Sequence, residues 1–442
     1  MRGKPGRPFP GFNKRQSKNV SGMNIKSIPN LVCADESGSI VEEQHLLMLC
    51  RQGRGFALPR PDDLIPLPLS SDLFLLPGRK ALGLDPETGK IQAVEALAVA
   101  GFASPGHTLS GTAAYLPEPD APRLPLYAYG AVGYKHGRFW ISAQLVDKDQ
   151  RQTFTGISQS EITRKAHELL TRYPRNRLVR HLAGCALNSC CPAARNLALG
   201  RFEAPLPTAR SCNSRCIGCI SFQPPDSGFK STQHRISFTP RAEEIVQVME
   251  IHCSRAKKPI LSFGQGCEGE PLTRSDLICE AVSMVRTRIS QATININTNA
   301  SMPDMVSRLA GCGINSVRVS LNSADPDLYH AYYRPQNYRF EDVSSFIFEA
   351  KGNGLFVSLN LLFFPGVTDT ESQLDLLGEL IEKSRINYIQ MRNLNLDPDI
   401  YLQLVTGMDL GPQTGLKNFM KRIKKQCPWV EFGYFNPYLY PG

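Results

Sequence analysis

The chain has 442 residues, 42% hydrophobic and 20% charged, with a formal net charge of +10. This is globular composition with enough apolar content for a large core, which excludes wholesale disorder, and no run approaches the roughly 18 to 20 apolar residues of a membrane span. No basic segment followed by an apolar stretch opens the chain, so no export signal is expected.

The charge is unevenly placed. Residues 1–22 hold Arg2, Lys4, Arg7, Lys14, Arg15 and Lys18 and no acid, leaving 44 of the 50 Lys and Arg against 40 Asp and Glu in the remainder. A solvated, disordered leader is expected there, in preference to a nucleic-acid or lipid contact, and Met23 is an alternative start. The 13 cysteines are an odd number in a long chain. They argue for a reducing, cytoplasmic setting and for metal or catalytic thiols instead of a disulfide scaffold.

Residues 23–157 read as a β-rich domain of turns and short strands. Leu46–Leu49, Leu73–Leu76 and Phe139–Ile141 are apolar runs, and Pro59, Pro61, Pro66, Pro68 and Pro77 punctuate the stretch between them. Residues 158–199 read as a helical linker. Ser158 and Glu161 make a capping box, Ile162, Ala166, Leu169 and Leu170 share a face, and a second helix covers Asn176 to about Leu187. From 200 to 395 the pattern becomes strand, loop, helix. Candidate strands are 202–206, 259–263, 293–297, 316–321, 356–363 and 388–391. Thr239-Pro240, Asp325-Pro326 and Thr370 with Gln373 mark helix starts. Six such units predict an α/β fold, a parallel sheet curled into a partial barrel with its chemistry on the loops after the strands. Residues 396–442 add a basic helix and an aromatic strand.

Cys212, Cys216 and Cys219 follow the first of these strands with C-x3-C-x2-C spacing. A tight loop brings such thiolates to one side, where they suit an inorganic centre. Three protein ligands on a [4Fe-4S] cluster leave one iron open to a small molecule. A zinc site would want a fourth ligand close by, and none is visible in the sequence (His234 is the closest downstream), so the cluster is preferred to zinc and zinc to three unrelated thiols.

The triplet resembles the signature of radical S-adenosylmethionine (radical SAM) enzymes. Further motifs follow in order on successive strands. Gly269-Glu270-Pro271-Leu272 is similar to the family's Gly-Gly-Glu-Pro, with Glu268 in place of the first glycine. Thr298-Asn299-Ala300 is similar to Thr-Asn-Gly. Arg318 to Asn322, Asp325-Pro326 and Phe364 to Asp369 resemble segments of the molybdenum-cofactor cyclase. The resemblance spans about 200–395 and leaves the first half of the chain uncovered.

It implies a partial (β/α)6 TIM-like barrel of the radical SAM type, with an N-terminal β-rich domain. It implies that Cys212, Cys216 and Cys219 bind a [4Fe-4S] cluster and that S-adenosylmethionine chelates the open iron. An electron from the cluster then cleaves the sulfonium to a 5′-deoxyadenosyl radical that takes hydrogen from a substrate. Gly269, Glu270, Asn299, Ser320, Asn322 and Asn360 are the expected cofactor contacts, with turn formation, strand-end capping or satisfied buried amides as the plainer readings. A ferredoxin or flavodoxin would supply electrons. The substrate, a small molecule, a peptide or an RNA, stays open.

Three features fall outside the resemblance. Cys185, Cys190 and Cys191 read as free thiols, with an auxiliary cluster as the alternative. Cys267 reads as a small core residue, with a redox-active or substrate-linked thiol as the alternative. Lys417, Lys421, Arg422, Lys424 and Lys425 with Tyr434, Phe435, Tyr438 and Tyr440 suit RNA contact less well than a solvated helix and a capping strand. A non-catalytic iron-sulfur or zinc module and an RNA-binding protein are the rival readings.

Overall fold

The computed structural model describes residues 25–440, so the basic leader lies outside the described residues. Asn30–Leu145 build an antiparallel assembly of 12 strands. The apolar runs fall on strands Ile40–Met48, Asp72–Leu84 and Arg138–Leu145, with Leu49 just beyond the first. Pro77 does not end its strand. The register against Ile91–Phe102 shifts between Leu76 and Lys80, a bulge that absorbs a residue with no N–H to give the ladder. Within the bulge, Arg79 is 3% exposed.

Three helices follow, Gln159–Arg172, Arg177–Asn188 and Pro192–Leu199. The Ser158 hydroxyl accepts from the Glu161 N–H at 3.1 Å, and Asn176 accepts from Val179 N–H at 2.9 Å, so both helices start where the sequence places them. Leu169, Leu178, Val179 and Leu182 share one apolar cluster with barrel residues such as Leu261 and Val317. The segment therefore packs on the barrel and does not merely bridge to it. Glu244 fixes the contact by accepting from the Arg177 guanidinium at 2.6 and 2.9 Å. The same carboxylate accepts from Arg241 N–H at 2.8 Å, which starts the next helix at Ala242, two residues beyond the Thr239-Pro240 signal.

The α/β expectation is met. Glu203–Pro205, Ile260–Phe263, Thr293–Thr298, Ser316–Leu321, Phe356–Phe363, Tyr388–Asn393 and Glu431–Gly433 form a parallel sheet in chain order. Six are the predicted strands. The seventh is the C-terminal aromatic strand, cut to three residues. Period-two alternation sorts these strands. Ile294, Ile296, Val317, Val319 and Leu359 are fully buried in the apolar core. Between them lie polar residues joined across strands: Ser316 to Asn295 at 2.9 Å, Arg318 to Gln390 at 2.9 Å, Gln390 to Asn436 at 2.7 Å and Asn436 to Glu203 at 2.8 Å.

Asp325 caps Pro326–Tyr333 through the N–H groups of Asp327 and Leu328, as expected. Thr370 precedes Glu371–Ser384, but no capping box forms. Its hydroxyl donates to Val367 O at 2.8 Å, and Gln373 accepts from Ser323 instead. The C-terminal residues close the floor of the barrel. Tyr438 donates to Gln291 O, Leu439 N–H to Thr293 Oγ1 and Asn315 to Tyr440 Oη, all at residues preceding strands or opening them. The β-rich region packs at the other end, where Gly53 N–H reaches Pro365 O at 2.9 Å and Leu109 N–H reaches Asn393 Oδ1 at 2.8 Å.

Candidate functional site

The cysteine loop leaves the first barrel strand and lies across the ends of the second, third and fourth. Glu270 N–H donates to Ser211 O at 3.0 Å and Gly269 N–H to Ala209 O at 2.7 Å. A Cβ on residue 269 would sit 1.9 Å from Ser211 O, so only glycine permits this approach. The contact that requires glycine here is thus the backbone of the cysteine loop itself.

Glu268, which stands where the family motif has glycine, is the residue that ties the loops together. Its buried carboxylate accepts from the N–H groups of Thr208, Ala209, Gly264 and Gln265 at 2.6 to 3.2 Å, and from the Thr208 hydroxyl at 3.2 Å. Glu270 does the same for the third strand, accepting from Thr298 Oγ1 at 2.5 Å, Asn299 N–H at 2.9 Å and Leu272 N–H at 3.1 Å. Burial pushes both carboxyls up to about 7, against the pull of these donors. Asn299 then donates to Asn213 Oδ1 at 2.8 Å and Ser214 Oγ at 2.9 Å, inside the triplet. Ala300 holds a left-handed φ of 58°, a conformation that suits the glycine of the family motif better than alanine.

On its other side the loop rests on the segment after the fourth strand. Ile217 N–H donates to Tyr332 O, Arg215 N–H to Tyr333 O, and Ser214 Oγ pairs with Tyr338 Oη at 2.8 Å. Tyr329, Tyr332, Tyr333 and Tyr338 are all buried and make an aromatic wall that excludes water. Arg235 completes the surround, with Nη2 3.6 Å from Cys219 Sγ and 3.1 Å from Ser221 Oγ.

The three thiols are partly buried. Burial first, and then the neighbouring Glu270, raises Cys212 to about 11. Burial and then mutual repulsion with Cys219 and Cys212 raise Cys216 well above the ordinary thiol range. Deprotonating all three together needs a compensating positive centre. Four-coordinate zinc with Zn–S near 2.3 Å holds its sulfurs about 3.8 Å apart. A [4Fe-4S] cluster seats each thiolate on a different iron and needs only three protein sulfurs, so three partly buried cysteines on one loop are a donor set that fits it.

The remaining predicted residues separate. Ser320 and Asn360 are paired across the fourth and fifth strands, and among the described residues their side chains have no hydrogen-bond partner. Asn322 is 1% exposed, and its amide nitrogen is used by Leu328 O and Tyr401 Oη, both at 3.3 Å. Cys185 and Cys267 meet near His181, whereas Cys190 is exposed. Tyr434 and Phe435 are buried and Arg422 and Lys424 are paired with acids, so this tail offers little aromatic stacking surface. Sequence reasoning missed Glu268, Arg235 and the tyrosine wall. The visible signals were Glu268 in place of the motif's first glycine and four tyrosines within 329–338.

Residues 206–376 match the model of the radical SAM superfamily. The GTP 3′,8-cyclase of Heliobacterium modesticaldum is 30% identical over 162 residues, 36% of this chain and 46% of that protein. The GTP 3′,8-cyclase of Petrotoga mobilis is 27% identical over 202 residues, 45% and 54% of the two. The chain thus spans about half the length of these curated relatives. Among solved structures, a radical SAM methyltransferase from Sphaerobacter thermophilus aligns with a TM-score of 0.38 at 15% identity, over 54% of this chain and 67% of that one. Streptococcus suis SuiB bound to precursor peptide SuiA aligns with a TM-score of 0.39 at 14% identity, over 59% and 53%. The matched segment contains the cysteine loop and the strand ends that brace it, so the similarity to the radical SAM superfamily lies in the part of the chain that builds this site.

Proposed function

We propose that the chain is a radical SAM enzyme whose cluster is held by Cys212, Cys216 and Cys219 and whose substrate enters the barrel mouth beside them. The observation that supports this is three partly buried cysteines on one loop, braced by Glu268, Glu270 and Asn299 from two neighbouring strand ends. Held by Cys212, Cys216 and Cys219, a [4Fe-4S] cluster would supply the electron for reductive cleavage of bound S-adenosylmethionine and so the radical chemistry on substrate. The protein's own residues bind, orient and exclude water. Ser320 and Asn360, with no hydrogen-bond partner among the described residues, are side chains available to hydrogen-bond the cofactor or substrate. Glu270 and Asn299 act one step back, as positioning residues that keep the triplet loop against the third strand. The tyrosine wall keeps solvent from the reacting centre.

A ferredoxin or flavodoxin in the cytoplasm is the proposed electron source. Among the described residues, no helix is long and apolar enough to cross a membrane. The cyclase relatives align over about half their length, and a shared core does not transfer their substrate.

The test is anaerobic reconstitution with iron and sulfide, reduction, and chromatography of the products of S-adenosylmethionine. The wild-type chain should form 5′-deoxyadenosine, and Cys216→Ala should lose at least a hundredfold in rate along with the cluster absorbance. Full cofactor cleavage by Cys216→Ala would refute the assignment.

A further inference from the structure

We infer that His181, Cys185 and Cys267 form a second metal centre, a mononuclear zinc site with Cys191 as its fourth ligand. It stands whether or not the triplet binds a cluster.

His181 and Cys185 lie four residues apart on helix Arg177–Asn188, which puts their side chains on one face. Their Nε2 and Sγ atoms are 3.5 Å apart. Cys267 arrives from the loop after the second barrel strand, and the three ligand atoms all lie within 4.8 Å of one another. Tetrahedral zinc, with Zn–S near 2.3 Å and Zn–N near 2.0 Å, holds its donors roughly 3.5 to 3.8 Å apart, so the trio needs only slight contraction. It is too tight for thiolates that sit on different irons of a cluster. Two thiolates and an imidazole are the soft and borderline donors zinc selects. The His181 ring is held edge-on to Phe238 at 6.3 Å between centroids, which limits its rotation.

Cys191 is the candidate for the fourth position, although its sulfur is not one of the three ligand atoms within 4.8 Å of one another. Its N–H donates to Cys185 O at 3.1 Å, folding the turn after the helix back over the trio, and it is 8% exposed. Cys190 is exposed, at a left-handed φ of 51°, and takes no part. The ion would displace the thiol protons without any redox change. Its place in the fold gives it a purpose. It joins the helical segment to the loop whose next two residues, Glu268 and Gly269, hold the cysteine triplet.

The test uses the full chain with Cys212, Cys216 and Cys219 all replaced by alanine, which removes the competing thiols. Elemental analysis should find one zinc per chain. After chelation, titration with Co²⁺ should give the intense visible bands of tetrahedral cobalt and a thiolate charge-transfer band. Further Cys185→Ala or Cys267→Ala changes should abolish the bands, and Cys191→Ala should weaken the charge-transfer band. In the unsubstituted chain, zinc should protect Cys185, Cys191 and Cys267 from alkylation at least tenfold, read by peptide mass spectrometry and reversed by a chelator; this arm does not depend on any variant folding. No tetrahedral cobalt spectrum, bands that survive Cys185→Ala, iron-sulfur absorbance in the triplet-free chain, or a Cys185–Cys267 disulfide in the anaerobically purified protein would each overturn the site.

Discussion

Arg235 shows what one residue adds to the cysteine loop. Its guanidinium stands 3.6 Å from Cys219 Sγ, grips Ser221 Oγ at 3.1 and 3.2 Å and lies 5.3 Å from the Phe222 ring centroid. A cation donating to a cluster thiolate stabilises the reduced, more negative state and so raises the reduction potential. Arg235→Met should therefore lower the potential of the reconstituted cluster, with Arg235→Lys falling between. Redox titration followed by electron paramagnetic resonance reads this directly, and equal potentials in the three proteins would mean that Arg235 serves packing alone. Glu268 teaches the converse. In the sequence it looks like damage to a glycine motif, yet its carboxylate gathers four backbone N–H groups that the bend would otherwise leave buried and unpaired.

At the scale of elements, helix Ala242–Cys253 carries a buried switch in stability. His252 is fully buried, with Nε2 3.0 Å from Phe202 O and Nδ1 without a partner. Burial pushes its pKa from 6.5 down to about 4. The unfolded chain then binds a proton that the folded chain refuses between these values. Its contribution is therefore present above pH 6.5 and is lost as pH falls towards 4, by about 3 kcal/mol at most. Urea melts across this range should show a His252→Gln variant losing less stability on acidification than the wild-type chain; parallel curves would refute the shift. How much of this was legible follows from range along the chain. Strand-helix alternation, the Ser158, Asn176 and Asp325 caps and the cysteine triplet are local patterns, and the structure keeps them. The start of helix Ala242–Cys253 moved because Glu244 answers to Arg177, and the Thr370 box failed because Gln373 answers to Ser323. The His181, Cys185 and Cys267 cluster joins a helix to a distant loop, a contact that no spacing rule encodes.

For the whole molecule, the question is what fixes the β-rich region over the barrel mouth. Arg79 and Asp397 form a 2.9 Å ion pair with side chains 3% and 2% exposed. Asp397 also accepts from Leu124 N–H at 2.9 Å and Asp399 N–H at 3.0 Å, and Arg79 donates to Pro77 O and Pro122 O. Nearby, Gly366 has φ +78°, and a Cβ there would lie 2.0 Å from Gly53 N, so the two backbones touch where the fifth strand ends. Removing one charge from a buried, hydrogen-bonded pair strands the other, at a cost of about 3 to 5 kcal/mol, whereas replacing both with apolar residues avoids the stranded charge. Asp397→Ala should accordingly be strongly destabilising in equilibrium urea unfolding. The double variant Arg79→Met with Asp397→Leu should recover more than half of that loss. A double variant as unstable as the single one would place the energy in the surrounding backbone hydrogen bonds and not in the charge pair. An Asp397→Ala cost below about 1 kcal/mol, the range of exposed pairs, would mean that solvent reaches this interface and that the β-rich region is not held as a fixed wall of the barrel mouth.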